Sequence, residues 1–202
     1  MLYHEKKARA KGYRFIAGVD EAGRGPLAGP VVAASVILGT HSFRERVTDS
    51  KVLSPRQRGR AFQEIVRTSL VSVGIVDSGE IDRLNILNAT RCAMECAVMG
   101  LGVEPDCVLI DGTVTLRLPY YSKCIVRGDS RSLSIAAASI IAKVVRDSIM
   151  FELDRSYPQY GFRFHKGYGT VRHLSSLMHF GPCPIHRQSF EPVRCVSRRE
   201  NL

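Results

Sequence analysis

Four acidic residues lie at or just beyond the ends of apolar, strand-like runs of the sequence: Asp20, Glu21, Asp111 and Asp129. Glycine or other small residues follow each run, and catalytic groups of open α/β sheets gather at such strand ends. Carboxylates brought together there repel one another unless cations neutralise them. Magnesium suits this role, because it binds through few carboxylates together with water and phosphate oxygens. The pattern therefore predicts a site for two divalent ions that hydrolyses a phosphodiester.

The alternative interpretation is that these acids cap helices or occupy turns, which is the commoner role of any single acid at a strand end. Three such coincidences in one basic chain favour the metal site. Asp20 and Glu21 raise a geometric question, because adjacent side chains of a strand point to opposite faces. Both side chains can approach one ion if the chain bends at the glycines that follow; alternatively, Glu21 contributes its backbone carbonyl. The sequence leaves both options open.

A glycine turn and a tyrosine loop are candidates for contacting a ligand. Gly23, Arg24 and Gly25 let backbone groups approach a small polar feature such as a ribose hydroxyl. Tyr168 lies between two glycines, where it could stack on a sugar or base while Lys166 holds a phosphate. The alternatives are a tight inter-strand turn and a tyrosine that packs in a loop.

Further cations are predicted to contact phosphate. Ser139, Lys143 and Arg146 share one side of an otherwise apolar helix, and Lys51 precedes a helix start. The alternative for the helix is a solvated stripe with a pair between Lys143 and Asp147. We place Asp147 outside the predicted metal site.

Composition limits the class of protein. The 202 residues carry a formal net charge of +10, which indicates a polyanionic partner, either nucleic acid or an anionic membrane. The apolar run 134–145 is too short to span a bilayer, and the N-terminus lacks a secretory pattern, so we expect no membrane association and a cytoplasmic location. Six cysteines without a CxxC pair are expected to be reduced and mostly buried. A zinc site is disfavoured because the spacing fits no common finger in the set His173, His179, Cys183 and His186.

The order of elements predicts a mixed α/β sheet flanked by helices. Strands are expected at 15–20, 31–38, 70–76, 107–110 and 122–126, with helices at 54–68, from Ser78 to about Leu101, and at 132–155. The second helix should present one apolar face: Ile86, Leu87, Thr90, Met94, Ala97 and Leu101. Glycines and prolines after residue 157 leave room for one short helix near 170–180. We therefore expect a main domain at 1–157 and an irregular, partly helical C-terminal appendage at 158–202.

Several segments closely resemble the motif set of the bacterial ribonuclease HII family, in order and at suitable spacing over about residues 15–190. They are 18–26 (GVDEAGRGP), 49–54 (DSKVLS), 109–112 (LIDG), 128–130 (GDS), 136–144 (AAASIIAKV), 146–147 (RD) and 165–168 (HKGY).

The resemblance implies a ribonuclease H-like fold, two magnesium or manganese ions, and hydrolysis on the 5′ side of a ribonucleotide. The substrate would be an RNA/DNA hybrid or duplex DNA with embedded ribonucleotides, cut to leave 3′-hydroxyl and 5′-phosphate ends. By position, Asp20, Glu21, Asp111 and Asp129 match the metal-binding acids. Residues 23–25 match the reader of the ribose 2′-hydroxyl, and Tyr168 matches the tyrosine that stacks at the RNA-to-DNA junction. The chain departs from the family pattern at three positions. Val52 and Arg127 stand where lysine is usual, and Gln188 stands where a second arginine is usual.

Two other functions compete with this expectation. A non-catalytic basic nucleic-acid-binding protein would share the charge but gives no reason for acids at strand ends. A nuclease specific for DNA junctions would cut substrates made entirely of DNA. We expect a monomer.

Overall fold

The computed structural model describes residues 1–199, and a five-stranded mixed sheet forms its centre. The strand order is β3-β2-β1-β4-β5. The strands are β1 (Ile16–Ala22), β2 (Val31–Ile37), β3 (Leu70–Val76), β4 (Cys107–Asp111) and β5 (Tyr121–Ile125). β1 and β2 pair antiparallel, as do β2 and β3, whereas β4 runs parallel to both β1 and β5. The predicted mixed α/β sheet is confirmed.

Eight α-helices surround the sheet in the described part of the chain. They are α1 (Tyr3–Arg9), α2 (Pro55–Thr68), α3 (Ser78–Leu84), α4 (Ile86–Met99), α5 (Leu133–Ser156), α6 (Phe162–His165), α7 (Val171–Phe180) and α8 (Val193–Arg199). Helix α2 begins as predicted, because Ser54 and Gln57 form a reciprocal capping box and Pro55 occupies the first turn. No helix of residues 1–199 is long and apolar enough to cross a membrane.

The core lies on both faces of the sheet. Alternate residues of β2 point to opposite faces, so that Ala33 packs in the cluster with α4 while Ala34 packs in the cluster with α2 and α5. Helix α5 crosses β1 very closely at Gly18, where an added Cβ would lie 2.2 Å from the backbone carbon of Ser134. Only glycine permits this approach, which fixes the height of α5 above the strand that carries Asp20.

The structure corrects two predicted element boundaries. Strand β1 continues through both acids to Ala22, pairing Asp20 with Ala34 and Glu21 with Ala33. The single helix expected from Ser78 is broken at Asn85, whose positive φ of 65° ends α3. The Asn85 side chain accepts hydrogen bonds from the amides of residues 87 and 88, and so caps α4.

Three details of side-chain burial and helix content also differ from expectation. Leu87, in the first turn of α4, is 46% exposed rather than part of the apolar face. No disulfide joins the six cysteines within residues 1–199, but Cys96, Cys124 and Cys195 are exposed, so the thiols are not mostly buried. Helices α1, α6 and α8 were not predicted, since each is only four to seven residues long.

The C-terminal segment packs against the turn that follows β1. Ala28 and His186 form an isolated antiparallel bridge, and the amide of Leu27 donates to the carbonyl of Gly167. A second buried cluster joins Leu27 to Leu177 of α7 and Val193 of α8. The expected appendage spans 158–202, and its residues 200–202 lie outside the described part of the chain.

Candidate active site

The sheet brings two of the predicted acids together at one edge. β1 and β4 are parallel neighbours with Val19 opposite Ile110, so Asp20 and Asp111 are the next residues of both strands. Asp129 lies in the 3₁₀ turn Gly128–Ser130 just after β5, the strand on the other side of β4. The Oδ1 atom of Asp111 accepts a hydrogen bond of 2.6 Å from the amide of Gly128, which ties the turn to the end of β4.

The acids act on one another electrostatically. Burial raises the pKa of Asp20 well above its usual range, and the charges of Glu21 and Asp111 raise it further. Burial also raises the pKa of Glu21; the Arg24 guanidinium, 3.3 Å from Glu21 Oε1, opposes this, and the charge of Asp111 adds to it. Burial and then the charges of Asp49 and Asp111 raise the pKa of Asp129. The arrangement disfavours full ionisation of the cluster without a nearby cation.

Lys51 is a cation whose pKa is raised by several acids of the site. Partial burial lowers the pKa of its ammonium, but four nearby carboxylates outweigh this effect and raise it: Asp49, Asp129, Asp20 and Asp111. The Lys51 Nζ atom lies 3.9 Å from Asp129 Oδ2 and remains largely exposed. Lys51 is therefore held near the acids while its charge stays accessible to a ligand.

The carboxylate oxygens of these acids suit a hard divalent cation, although the acids do not surround a metal ion by themselves. Among residues 1–199, no group of three or more His, Cys, Asp or Glu side chains is placed to hold a metal ion by itself. Asp20 is nevertheless 6% exposed beside two other acids, and its Oδ1 accepts a hydrogen bond of 2.7 Å from the amide of Glu21. Carboxylates in this setting fit magnesium or manganese, which complete their shells with water and substrate oxygens.

A pocket of about 310 Å³ adjoins the acids. It brings together eight predicted site residues, namely Glu21, Gly23, Arg24, Gly25, Lys51, Ser139, Lys143 and Tyr168. Ser50 also lines it, and its hydroxyl lies 2.9 Å from that of Ser139. Ser50 was not predicted as a site residue, although it lies between Asp49 and Lys51 in the sequence.

Tyr168 forms the pocket wall opposite the glycine turn. Its side chain is 44% exposed, and a Cβ built on Gly25 would lie 3.8 Å from the ring. Gly23 has a positive φ of 98°, and a Cβ there would collide with Arg146 and with the carbonyl of Pro30. Position 23 therefore requires glycine, whereas Gly25 lies at ordinary van der Waals distance from the tyrosine ring.

The structure assigns Arg146 to a different role from the phosphate contact expected for it. Arg146 is 1% exposed, and its guanidinium donates to the backbone carbonyls of Pro30, Ala28 and Lys166. Burial lowers its pKa, and it does not line the pocket. A helical stripe in the sequence could not reveal that Arg146 points beneath the glycine turn.

Lys143 and Lys166, which were also predicted to contact phosphate, have intramolecular partners. Lys143 Nζ lies 2.8 Å from Asp147 Oδ1, as in the alternative considered for the helix stripe, but Lys143 still lines the pocket. The Lys166 ammonium donates to the carbonyl of Arg163, and the residue lines a neighbouring groove of about 330 Å³ between α2 and α5. Lys166 is thus separated from the pocket that contains Tyr168.

Three histidines of the C-terminal segment, His165, His173 and His186, form a buried network. His173 Nε2 and His186 Nε2 are 3.1 Å apart, and His165 stacks on His173 with ring centroids 4.4 Å apart. Cys183 contacts His186, whereas His179 is exposed and lies apart. Nothing in the sequence indicated that three histidines meet.

Comparisons with known proteins agree on one family. The family model described as ribonuclease HII matches residues 17–193. The ribonuclease HII of Syntrophobacter fumaroxidans is 53% identical over 203 aligned positions, covering 100% of this chain and 87% of that protein. The ribonuclease HII of Acetivibrio thermocellus is 52% identical over 191 positions, covering 94% and 75%.

Solved structures share the fold. Ribonuclease H2 from Pyrococcus horikoshii OT3 has a TM-score of 0.79 at 26% identity, covering 93% of this chain and 99% of that one. The PCNA:RNase HII complex from Archaeoglobus fulgidus gives a TM-score of 0.73 at 26% identity, covering 88% and 96%. Bst-RNase HIII in complex with Mn²⁺ gives 0.68 at 19% identity, covering 95% and 72%, and shows likeness of fold alone.

The fold is therefore ribonuclease H-like, and the relatives are matched over nearly the whole chain. From the family model and the identity to these relatives, this chain belongs to the ribonuclease HII family, whose members cleave RNA in RNA/DNA hybrids, and it is a ribonuclease H enzyme.

Proposed function

We propose that this enzyme hydrolyses the phosphodiester on the 5′ side of a ribonucleotide, both in RNA/DNA hybrids and in duplex DNA with embedded ribonucleotides. The products would be a 3′-hydroxyl and a 5′-phosphate. One observation carries the proposal: Glu21, which interacts electrostatically with Asp20 and Asp111, lines a pocket walled by a glycine turn and Tyr168. Hydrolytic groups and a surface suited to a ribose are thus adjacent.

Asp20, Glu21, Asp111 and Asp129 are the residues that would hold two ions of magnesium or manganese. When bound, such ions activate a water molecule and stabilise charge on the scissile phosphate. The pKa values of Asp20, Glu21 and Asp129 are raised by burial and by neighbouring acids, and a dication would relieve that repulsion. The related Bst-RNase HIII has been solved with Mn²⁺, which supports manganese as one candidate.

The remaining pocket residues bind and orient the substrate. Lys51 and Lys143 contact phosphate oxygens, because both residues line the pocket and Lys51 Nζ lies 3.9 Å from Asp129 Oδ2. Backbone groups of residues 23–25 hydrogen bond to the 2′-hydroxyl, and Tyr168 stacks at the junction of ribonucleotide and deoxyribonucleotide. Ser139 holds Asp20 through a side-chain hydrogen bond. Lys166 reaches phosphates farther along the strand from its neighbouring groove.

Organisation and location complete the proposal. The catalytic domain is 1–157, and the C-terminal segment, described to residue 199, packs on it and contributes Tyr168 and Lys166 to substrate binding. The enzyme acts as a monomer in the cytoplasm, on RNA/DNA hybrids or on duplex DNA that contains ribonucleotides.

The test is cleavage of a DNA duplex that carries a single ribonucleotide, with magnesium or manganese supplied. Wild type should cut on the 5′ side, and Asp111→Asn should bind the duplex but not cut it. Binding without cutting by wild type, with either metal, would favour the non-catalytic nucleic-acid binder. Cutting of DNA junctions that lack ribonucleotides would favour the junction nuclease.

A further inference from the structure

Arg187 is a fully buried cation that contacts the glycine turn only through carbonyl oxygens. Its guanidinium donates to Gly23 O at 2.5 Å and to Arg24 O at 2.9 Å; Gly29 O accepts from Nε at 3.1 Å and from Nη2 at 2.9 Å. Its side chain is 0% exposed. Because a trans peptide is planar, fixing these carbonyls also fixes the amides of the next residues, which point away from the guanidinium.

Burial of the Arg187 charge destabilises the folded protein unless its hydrogen bonds compensate for the lost hydration. Arg187 makes no ion pair with any residue in the range 1–199, and burial together with the charge of Arg146 lowers its pKa to about 9. An unpaired buried charge is destabilising, whereas charge-assisted hydrogen bonds are stronger than neutral ones. The main effect of Arg187 in the folded protein is therefore to hold the backbone of residues 23–29 in one conformation.

The adjacent residue, His186, is linked to the opposite wall of the pocket. His173 Nδ1 lies 2.9 Å from the carbonyl of Tyr168, which can only accept, so Nδ1 carries the proton. His173 Nε2 then accepts from His186 Nε2, and His186 Nδ1 accepts from the amide of Cys183 at 2.9 Å. One set of neutral tautomers satisfies these three bonds together, so the chain from Cys183 to Tyr168 has a defined direction.

Backbone pairing joins the two connections into one unit. The amide of Gly29 donates to Ile185 O and the amide of Arg187 donates to Leu27 O, each at 2.9 Å. The amide of Leu27 in turn donates to Gly167 O at 2.8 Å, next to Tyr168. Displacement of the 185–187 segment would therefore move the glycine turn and the tyrosine loop together.

We propose that the dipeptide of His186 and Arg187 positions both walls of the pocket, Arg187 by holding residues 23–25 and His186 by holding Tyr168 through His173. Both are positioning residues that set the width available to a ribose. This inference rests on the proposed reading of the ribose by those walls.

The first test needs no substrate. Hydrogen exchange of the Leu27 and Gly29 amides, which are hydrogen bonded, should be about tenfold faster in Arg187→Lys, since lysine cannot reach the three carbonyls at once. Arg58→Lys is the matched control, because Arg58 also donates to two carbonyls, those of Ser50 and Leu53, but does not contact the turn. Unchanged exchange at Leu27 and Gly29 in folded Arg187→Lys would overturn the proposal.

The second test separates positioning from general stability. In Arg187→Lys, kcat/KM on a duplex with one ribonucleotide should fall about tenfold or more, while the Kd for the all-DNA duplex stays within about twofold of wild type. A proportional loss on both duplexes would indicate a merely structural role and overturn the proposal. If wild type fails to cut at the ribonucleotide, the proposed function fails, and the exchange result alone decides whether Arg187 positions the turn.

The third test addresses the tyrosine wall and does not depend on the folding of Arg187→Lys. His186→Ala should accelerate exchange of the Tyr168 amide, which donates to His165 O, whereas His186→Gln should restore part of the protection. The glutamine amide can still donate to His173 Nε2, so the two variants differ in that bond. Wild-type exchange in His186→Ala, or no difference between the variants, would overturn the role of His186.

Discussion

The neutral histidine pair makes a quantitative prediction about stability and pH. Burial lowers the pKa of His173 to about 4, against 6.5 for an unperturbed histidine, although its hydrogen bond to Tyr168 opposes the shift. Burial and the nearby His173 lower the pKa of His186 to about 4. Between pH 6.5 and 4 the unfolded chain therefore binds protons that the folded protein does not.

The direction in which stability changes with pH follows from this difference in proton binding. Stability from the pair is fully present above pH 6.5 and is lost as the pH falls toward 4, because protons are then bound preferentially by the unfolded state. For one histidine with these pKa values, the free energy of unfolding should fall by about 2 kcal/mol between pH 7 and pH 5. Such a loss is a large fraction of the stability of an ordinary domain.

Urea unfolding at pH 7, 6 and 5 measures this effect as a difference between variants, so that titration of the carboxylates cancels. His186→Gln removes one of the two groups and should lose about 2 kcal/mol less than wild type over this range. His179→Gln is the control, because His179 is exposed and outside the network. Equal pH dependence in wild type and His186→Gln would refute the assignment of buried neutral histidines.

Three further predictions concern substrate contacts and packing. Tyr168→Ala should lose more activity on single-ribonucleotide duplexes than on long hybrids, and equal losses would contradict a junction role. The affinity for duplex DNA should fall steeply as salt rises from about 50 to 200 mM, because several phosphates are contacted; a flat response would contradict this. Gly18→Ala should destabilise the protein by about 2 kcal/mol or more, since its Cβ meets the Ser134 backbone at 2.2 Å. Gly59→Ala in α2, with open space around the added Cβ, should instead stabilise by about 0.5–1 kcal/mol, and urea unfolding compares the two.

Local patterns were sufficient for most of the sheet and for the residues that line the pocket. Apolar runs predicted all five strands, and Ser54 with Pro55 predicted the start of α2. The positions of Asp20 and Asp111 after such runs led to the right expectation that they neighbour one another, because parallel strands end at a common edge. These features depend on sequence within a few residues and on general rules of sheet construction.

Features that depend on contacts between residues far apart in the sequence could not be predicted from such local patterns. The direction of the Arg146 side chain depends on the carbonyls of Ala28 and Pro30, more than 100 residues away. Arg187 meets the glycine turn across a separation of more than 150 residues. The break at Asn85 had a local signal in the sequence, because asparagine tolerates positive φ and caps helices. However, the spacing of apolar residues continues across Asn85, and this favoured one continuous helix.

The order of these residues along the chain has a consequence for synthesis on the ribosome. The four acids, the glycine turn and both pocket lysines all precede residue 145, whereas Tyr168, His173, His186 and Arg187 follow in the last quarter of the protein. A nascent chain stalled before that quarter carries the acidic cluster without the parts that hold the pocket walls. If the pocket walls bind the ribose as proposed, this part of the site is completed only after residues 168–187 have been synthesised and have packed against the glycine turn.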